Sequence, residues 1–252
     1  MKFLRLLQLA LVLASFSLLG LPVFGQYRVG ISGSIPIDKL ESMDYALVIA
    51  DPAQRLDLLK RLGIHADVAE AATSPRFSHD IEIRPLHTRS KKRYGIISLP
   101  CRIQNQAFLY VLEEVGTDAW HTVDHVALDC FHGTPTYRLI SFAPGEDAVF
   151  VEHANSGHGT GTVEDEATIY TIVNGRMHEV LSTKDYRYTW GFTDGSPAVE
   201  ENSSFLQISG RVIEETRITS QDGVPLRAER RIWRWEPTQA AFKATPFSIV
   251  SK

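Results

Sequence analysis

Cysteine is nearly absent: the 252-residue chain has two, Cys101 and Cys130, too few for a disulfide scaffold or a multi-cysteine metal module. Basic residues are outnumbered by acidic ones, 26 Lys and Arg against 30 Asp and Glu, for a formal net charge of -4. That balance argues against nucleic acid as a partner. Past the N-terminal segment, no apolar run reaches the roughly eighteen residues of a membrane-crossing helix. No Gly-x-Ser-x-Gly elbow occurs, so one serine-hydrolase geometry is excluded. No cysteine closely follows the leader, the first being Cys101, which speaks against lipid attachment.

What the chain does have begins with an export address. Lys2 and Arg5 precede the apolar stretch Leu6 to Phe24, which ends in Val23-Phe24-Gly25 before Gln26. A charged lead, an uncharged apolar core and small residues near the cut are what a signal peptidase requires. Residues 1–25 are therefore read as a signal peptide, and the protein as exported, to the periplasm or outside the cell. Contact with a membrane is expected only through this segment before cleavage. Its removal takes Lys2 and Arg5 and no acid, moving the formal charge from -4 to -6. In an oxidising compartment, Cys101 and Cys130 are the natural pair for one disulfide.

The mature chain divides into a mixed strand and helix part, residues 26–78, and an antiparallel β-rich part, residues 79–252, expected to form one unit. Asp51-Pro52 through Gly63 carries helix punctuation at both ends: a capping Asp, Pro at the first helical position and a terminal Gly after a basic last turn. Leu56, Leu59 and Leu62 are its expected buried stripe. A second short helix is expected over 66–72, and a buried strand over 45–50. From His79 onward the period is two. Asn174-Gly175 marks a hairpin spanning 167–181 that pairs Ile172 with Met177 and Ile169 with Val180. Both faces of that hairpin are apolar, so the sheet is expected to be covered on both sides, in a propeller-like or sandwich arrangement. A second hairpin is expected to join 205–219 to 226–235 through Gln221-Asp222-Gly223. A faint echo of aromatic strands recurs at 108–112, 168–172 and 231–235.

Three features have chemical content. His121, His125 and His132 lie with Asp124, Asp129 and Cys130 in a dense donor set that suits zinc. On a strand, however, His121 and His125 sit about 13 Å apart. The loop from His153 to Gly161 alternates glycine with polar residues, offering His153, Asn155, Gly157, His158, Gly159 and Gly161 as a ligand-binding set. No helix follows it, so it is not a dinucleotide fingerprint. The basic run Arg84, Arg89, Lys91, Lys92 and Arg93 with Arg102 reads as a solvated strand edge. Carboxylates such as Glu113, Glu114, Asp147, Glu152, Glu164 and Asp165 are too numerous to single out a glycosidase pair. Together these features describe an exported β-rich binding or interaction module of the cell envelope, with a protein or carbohydrate partner and no required cofactor. A secreted, metal-assisted hydrolase is the alternative.

Overall fold

The structure, a computed structural model, describes residues 39–73, 81–103, 106–116, 119–130, 134–154, 161–191 and 196–251; the leader lies outside them. Three helices come first: α1 (Leu40–Ile49), α2 (Pro52–Arg61) and α3 (Ala66–Ala72). The expected punctuation starts α2. Asp51 Oδ1 accepts from the Gln54 amide at 2.9 Å while Gln54 Oε1 accepts from the Asp51 amide at 3.3 Å, a reciprocal capping box. The buried stripe is Leu58, Leu59 and Leu62, with Leu56 at its rim. It is rotated from the expected one because Arg55 is itself buried, donating to the Leu47 carbonyl oxygen at 3.4 Å.

The strand expected at 45–50 is instead the end of α1. Leu40, Met43 and Leu47, with Ala46 beside them, recur at helical spacing and are all buried. The short run 45–50 read alone hides that period, which appears once Leu40 and Met43 are counted.

The strands form two antiparallel meanders. The first sheet has four, in the order β1 (Glu82–Leu86), β2 (Tyr94–Ile103), β3 (Gln106–Val115) and β4 (Ala119–Asp129). The second has nine. It runs β5 (Thr136–Ala143), β6 (Glu146–Ala154), β7 (Thr162–Val173), β8 (Arg176–Thr189), β9 (Val199–Ser209), β10 (Val212–Gln221), β11 (Val224–Glu236) and β12 (Ala241–Ala244). The last strand, β13 (Ser248–Ser251), pairs with β11 beside β12. The protein is thus mainly β and antiparallel, as expected, and its sheets are not closed.

Every layer follows from strands that are apolar on both sides. One face of the first sheet, including Ile97, Tyr110, Leu112 and Trp120, packs under the helices. Its other face, including Ile96, Leu109 and Val111, packs on Val149, Val151 and Ile172 of the second sheet. The remaining face of the second sheet is covered by no third layer among the described residues and curls onto itself. Phe142 on β5 meets Trp235 on β11 and Phe242 on β12, with ring centroids 4.9 and 6.0 Å apart. Strands spaced about 4.8 Å apart would put β5 and β11 nearly 30 Å apart in a flat sheet. At the contact, a Cβ on Gly210 would stand 2.1 Å from the Phe142 carbonyl oxygen, so only glycine fits in the β9–β10 turn.

The hairpin at Asn174-Gly175 forms with both turn residues at positive φ, 53° and 79°. Ile172 pairs with Met177 as expected, but Ile169 pairs with Leu181 because a register shift beside Ile169 skips Val180. The Asp222-Gly223 turn also forms, joining β10 to β11. The single strand expected over 205–219 is broken into β9 and β10 at Gly210-Arg211, where glycine inside a strand pattern marks the turn. The three echoing segments sit in β3, β7 and β11, at every fourth strand.

Cys101 and Cys130 are joined, with Cα atoms 5.9 Å apart, tying the end of β2 to the residue after β4. Their sequence separation is 29 residues, for which loop-closure entropy gives about 3–4 kcal/mol of stabilisation. Urea unfolding of the mature chain with and without reductant is expected to differ by that amount. Identical curves would mean that the bridge constrains nothing in the unfolded state.

Candidate functional site

The curled face changes character along its strands. Period two places Leu181 and Thr183 on one face of β8, Phe205 and Ser203 on one face of β9, Ile213, Glu215 and Arg217 on β10, and Trp235, Trp233 and Arg231 on β11. The apolar members fill the self-packed core. The polar members continue the same face toward the other end of the strands.

Glu215 organises that polar end. Its side chain is fully buried, yet every approach to its carboxylate is a hydrogen bond. Oε2 accepts from Arg231 Nε at 2.6 Å and from Trp233 Nε1 at 2.8 Å; Oε1 accepts from Ser203 Oγ at 3.0 Å and Arg217 at 3.2 Å. Arg217 Nε also donates to Ser203 Oγ at 3.3 Å, and Arg231 Nη2 to Thr183 Oγ1 at 2.8 Å. The last bond joins β11 to β8 across two intervening strands, so the sheet is curled here as well as at its apolar end. Phe247 lies against both guanidinium groups, 4.4 Å from Arg217 and 4.3 Å from Arg231. A buried carboxylate is tolerable only when paired and hydrogen-bonded, and this one is satisfied on both oxygens.

Beside the clamp lies a cavity of about 280 Å³, lined by Thr183, Lys184, Asp185, Tyr186, Arg187, Glu201, Ser203, Arg217 and Arg231. That volume is near the lower end for small-molecule sites. Asp185 enters at a bulge: Lys184 pairs with Glu166 and Tyr186 with Asp165, leaving Asp185 without a cross-strand partner on β7. Its Oδ1 is buried with no hydrogen-bond partner among the described residues. Burial first, with Glu152 and Asp165 adding to it, pushes its carboxyl up to about 6, against backbone N–H groups of Asp185 and Tyr186 that hydrogen-bond to it and pull it down. Lys184 and Arg187 are held on the rim by Glu164, at 2.5 and 3.3 Å.

No protein-family model matches this chain. No curated protein matches it either. Its chemistry has to be read from the geometry alone.

The expected sites fare differently. The ring of His121 lies where a side chain on Gly63 would be, and His125 stacks on Tyr110 with centroids 5.0 Å apart. His132 lies outside the described residues, Asp124 accepts from the Met177 amide at 2.7 Å, and Cys130 is in the disulfide. No group of three or more His, Cys, Asp or Glu side chains that could hold a metal occurs among the described residues. In the glycine-rich loop, Asn155, Gly157, His158 and Gly159 lie outside the described residues. His153 is placed 3.9 Å from Glu166 with its Nδ1 buried and unbonded, and the Gly161 carbonyl accepts from the Trp190 amide at 3.0 Å. Much of the basic run is matched to acids: Arg84 to Glu82, Arg89 to Glu146, Lys92 to Glu113 and Arg93 to Glu114.

The clamp itself was not among the expected sites. Its signal is a charged residue two places from an apolar one on the same strand face, as in Ile213 to Glu215 and Trp233 to Arg231.

Removing Glu215 by substitution with Ala is expected to cost about 3–5 kcal/mol, because two half-buried cations lose their shared, fully buried partner. A loss under 1 kcal/mol in urea unfolding would show that the clamp does not hold the curl. Asp185 contributes with the opposite sign. Its folded carboxyl titrates above the unfolded one, so the folded state binds the extra proton and stability falls as pH rises from about 4 through 6. Asp185→Asn is expected to flatten that slope and to raise stability at pH 7 by on the order of 1 kcal/mol, allowing for screening at a partly exposed site. Unfolding free energies of both proteins between pH 4 and 8 check the sign.

Proposed function

We propose that this is an exported, non-catalytic binding protein that holds a small polar ligand in the cavity at the charged end of the curled sheet. The observation that carries this proposal is the Glu215 clamp. Two arginines are fixed by hydrogen bonds, an ion pair and an aromatic ring before any ligand arrives, so little side-chain entropy remains to be lost on binding. Around them the lining mixes fixed cations, hydroxyls and an unsatisfied carboxyl, the few convergent polar groups that orient a small molecule.

The two sheets touch through one apolar face each, which supports a sandwich-like reading of the architecture; the curl adds the concave site. Export is supported by the leader-like residues 1–25, by the disulfide, and by the absence of any membrane-crossing helix among the described residues, which says nothing of strands.

Two measurements test this proposal. Mass spectrometry of the protein from an expressing bacterium is expected to find a chain beginning at Gln26 outside the cytoplasm, with Cys101 and Cys130 joined; an uncut, reduced cytoplasmic chain would remove export. Amide chemical shifts of the mature chain, recorded while pooled sugars, amino acids, organic acids and amines are added, are expected to move at Thr183–Arg187, Glu201 and Ser203. Shifts confined to other surfaces, or conversion of an added compound, would overturn the cavity reading or the non-catalytic one.

A further inference from the structure

The cavity is neutral in sum. Lys184, Arg187, Arg217 and Arg231 supply four cations to its wall; Asp185 and Glu201 supply two anions, and Glu215 and Glu164 stand behind as two more. The charges differ in what already answers them. Arg217 and Arg231 share one carboxylate, and each keeps an Nη1 group that the clamp does not use. Arg217 is bonded through Nε and Nη2, and Arg231 likewise. Asp185 takes backbone N–H groups of its own residue and Tyr186 on its carboxyl, but its buried Oδ1 has no donor among the described residues, and it stands in the field of Glu152 from β6 and Asp165 from β7.

Resting on the cavity reading above, we infer that the ligand is a small zwitterion of the α-amino-acid class, its ammonium on Asp185 and its carboxylate on the spare donors of Arg217 and Arg231. Each end of such a ligand answers a group the protein leaves unanswered. A carboxylate accepts two N–H groups from guanidinium donors held rigidly. An ammonium supplies the donor that the buried Asp185 oxygen lacks, and its positive charge offsets the three acids converging there. A simple organic acid would leave Asp185 unsatisfied, and a simple amine would leave the arginine pair without its anion. Sugar hydroxyls can donate and accept, but they answer neither charge, and Tyr186 is the one aromatic side chain in the lining. At about 280 Å³ the cavity suits a compact amino acid rather than a peptide.

The test uses the mature, disulfide-bonded chain and calorimetric titration with L-serine, L-glutamine, lactate, ethanolamine and glucose. At least one amino acid is expected to bind tenfold or more tightly than both lactate and ethanolamine. Its affinity is expected to rise as pH increases from 5 to 7, because the ammonium needs the ionised form of Asp185. The charged groups that share the cavity wall with Asp185 are Lys184, Arg187, Glu201, Arg217 and Arg231, and Glu152 and Asp165 act on it from β6 and β7. Asp185→Asn is expected to weaken the amino acid tenfold or more while leaving lactate unchanged; its far-UV spectrum and melting temperature establish that it folds.

Glucose binding without amino-acid binding, or lactate binding as tightly as serine, would overturn the zwitterion and leave the cavity as a site. No heat from any compound at millimolar concentration, together with unmoved amide shifts at Thr183–Arg187, would overturn both the ligand class and the cavity reading beneath it.

Discussion

Four strands, β5 to β8, are apolar on both faces, and that requirement shapes the rest of the molecule. Val149, Val151 and Ile172 demand cover on one side; Ala148, Phe150, Ala167 and Ile169 demand it on the other. The first sheet supplies the first cover. It has its own second apolar face, which the three helices close. For the other side no further layer occurs among the described residues, and the meander continues until β11 and β12 have turned far enough to lay Trp235 and Phe242 against Phe142 of β5, with Trp233 in the same cluster. Burying side chains of this size is worth roughly 1.5–3 kcal/mol each, which favours the bent sheet over a flat one that leaves aromatic rings in water.

A sheet that curls to bury apolar residues also brings together whatever else lies on that face. At one end of the strands this produces packing; at the other it produces a concentration of charge. Arg231 reaches Thr183 across two strands only because the curl brings β11 over β8. Glu215 then becomes a necessity, since two guanidinium groups enclosed without an anion would strain the same geometry that encloses them. Apolar packing and the ion-pair clamp are thus two halves of one curl, and neither half is independent of the other: Trp233 belongs to the apolar cluster through its ring and to the clamp through its N–H.

Much of this was legible in the residues themselves. Asp51-Pro52 and Gly63 framed a helix that forms, Asn174-Gly175 and Asp222-Gly223 framed hairpins that form, and the two cysteines are joined. Errors arose where local pattern and tertiary demand differ. Residues 45–50 read as strand because the buried stripe of α1 begins earlier, at Leu40. Alternation alone pairs Val180 with Ile169 because a bulge leaves no mark in it, and it runs unbroken through Gly210, whose lack of a side chain is what lets the turn meet β5. The site was the least legible part. Histidines and alternating glycines draw the eye, whereas Glu215 meets Arg231 and Arg217 meets Ser203 through cross-strand register, and Thr183 joins them only by a curl that no local window contains.

Asp185 departs from the economy seen around it. Nearby acids have partners: Glu164 holds Lys184 and Arg187, Glu215 holds two arginines and a tryptophan, and Glu166 accepts from Ser182. A fold able to satisfy a fully buried glutamate on both oxygens has the means to satisfy a half-buried aspartate as well. It instead places Asp185 on a bulge, with one oxygen enclosed and two acids nearby, at a cost in stability that increases with pH. Proteins break their own local rules chiefly where function requires it, and unsatisfied buried polar groups concentrate at such places. A cationic group arriving from outside the chain is the economical explanation, because it turns the cost of enclosing Asp185 into binding free energy while leaving the clamp untouched.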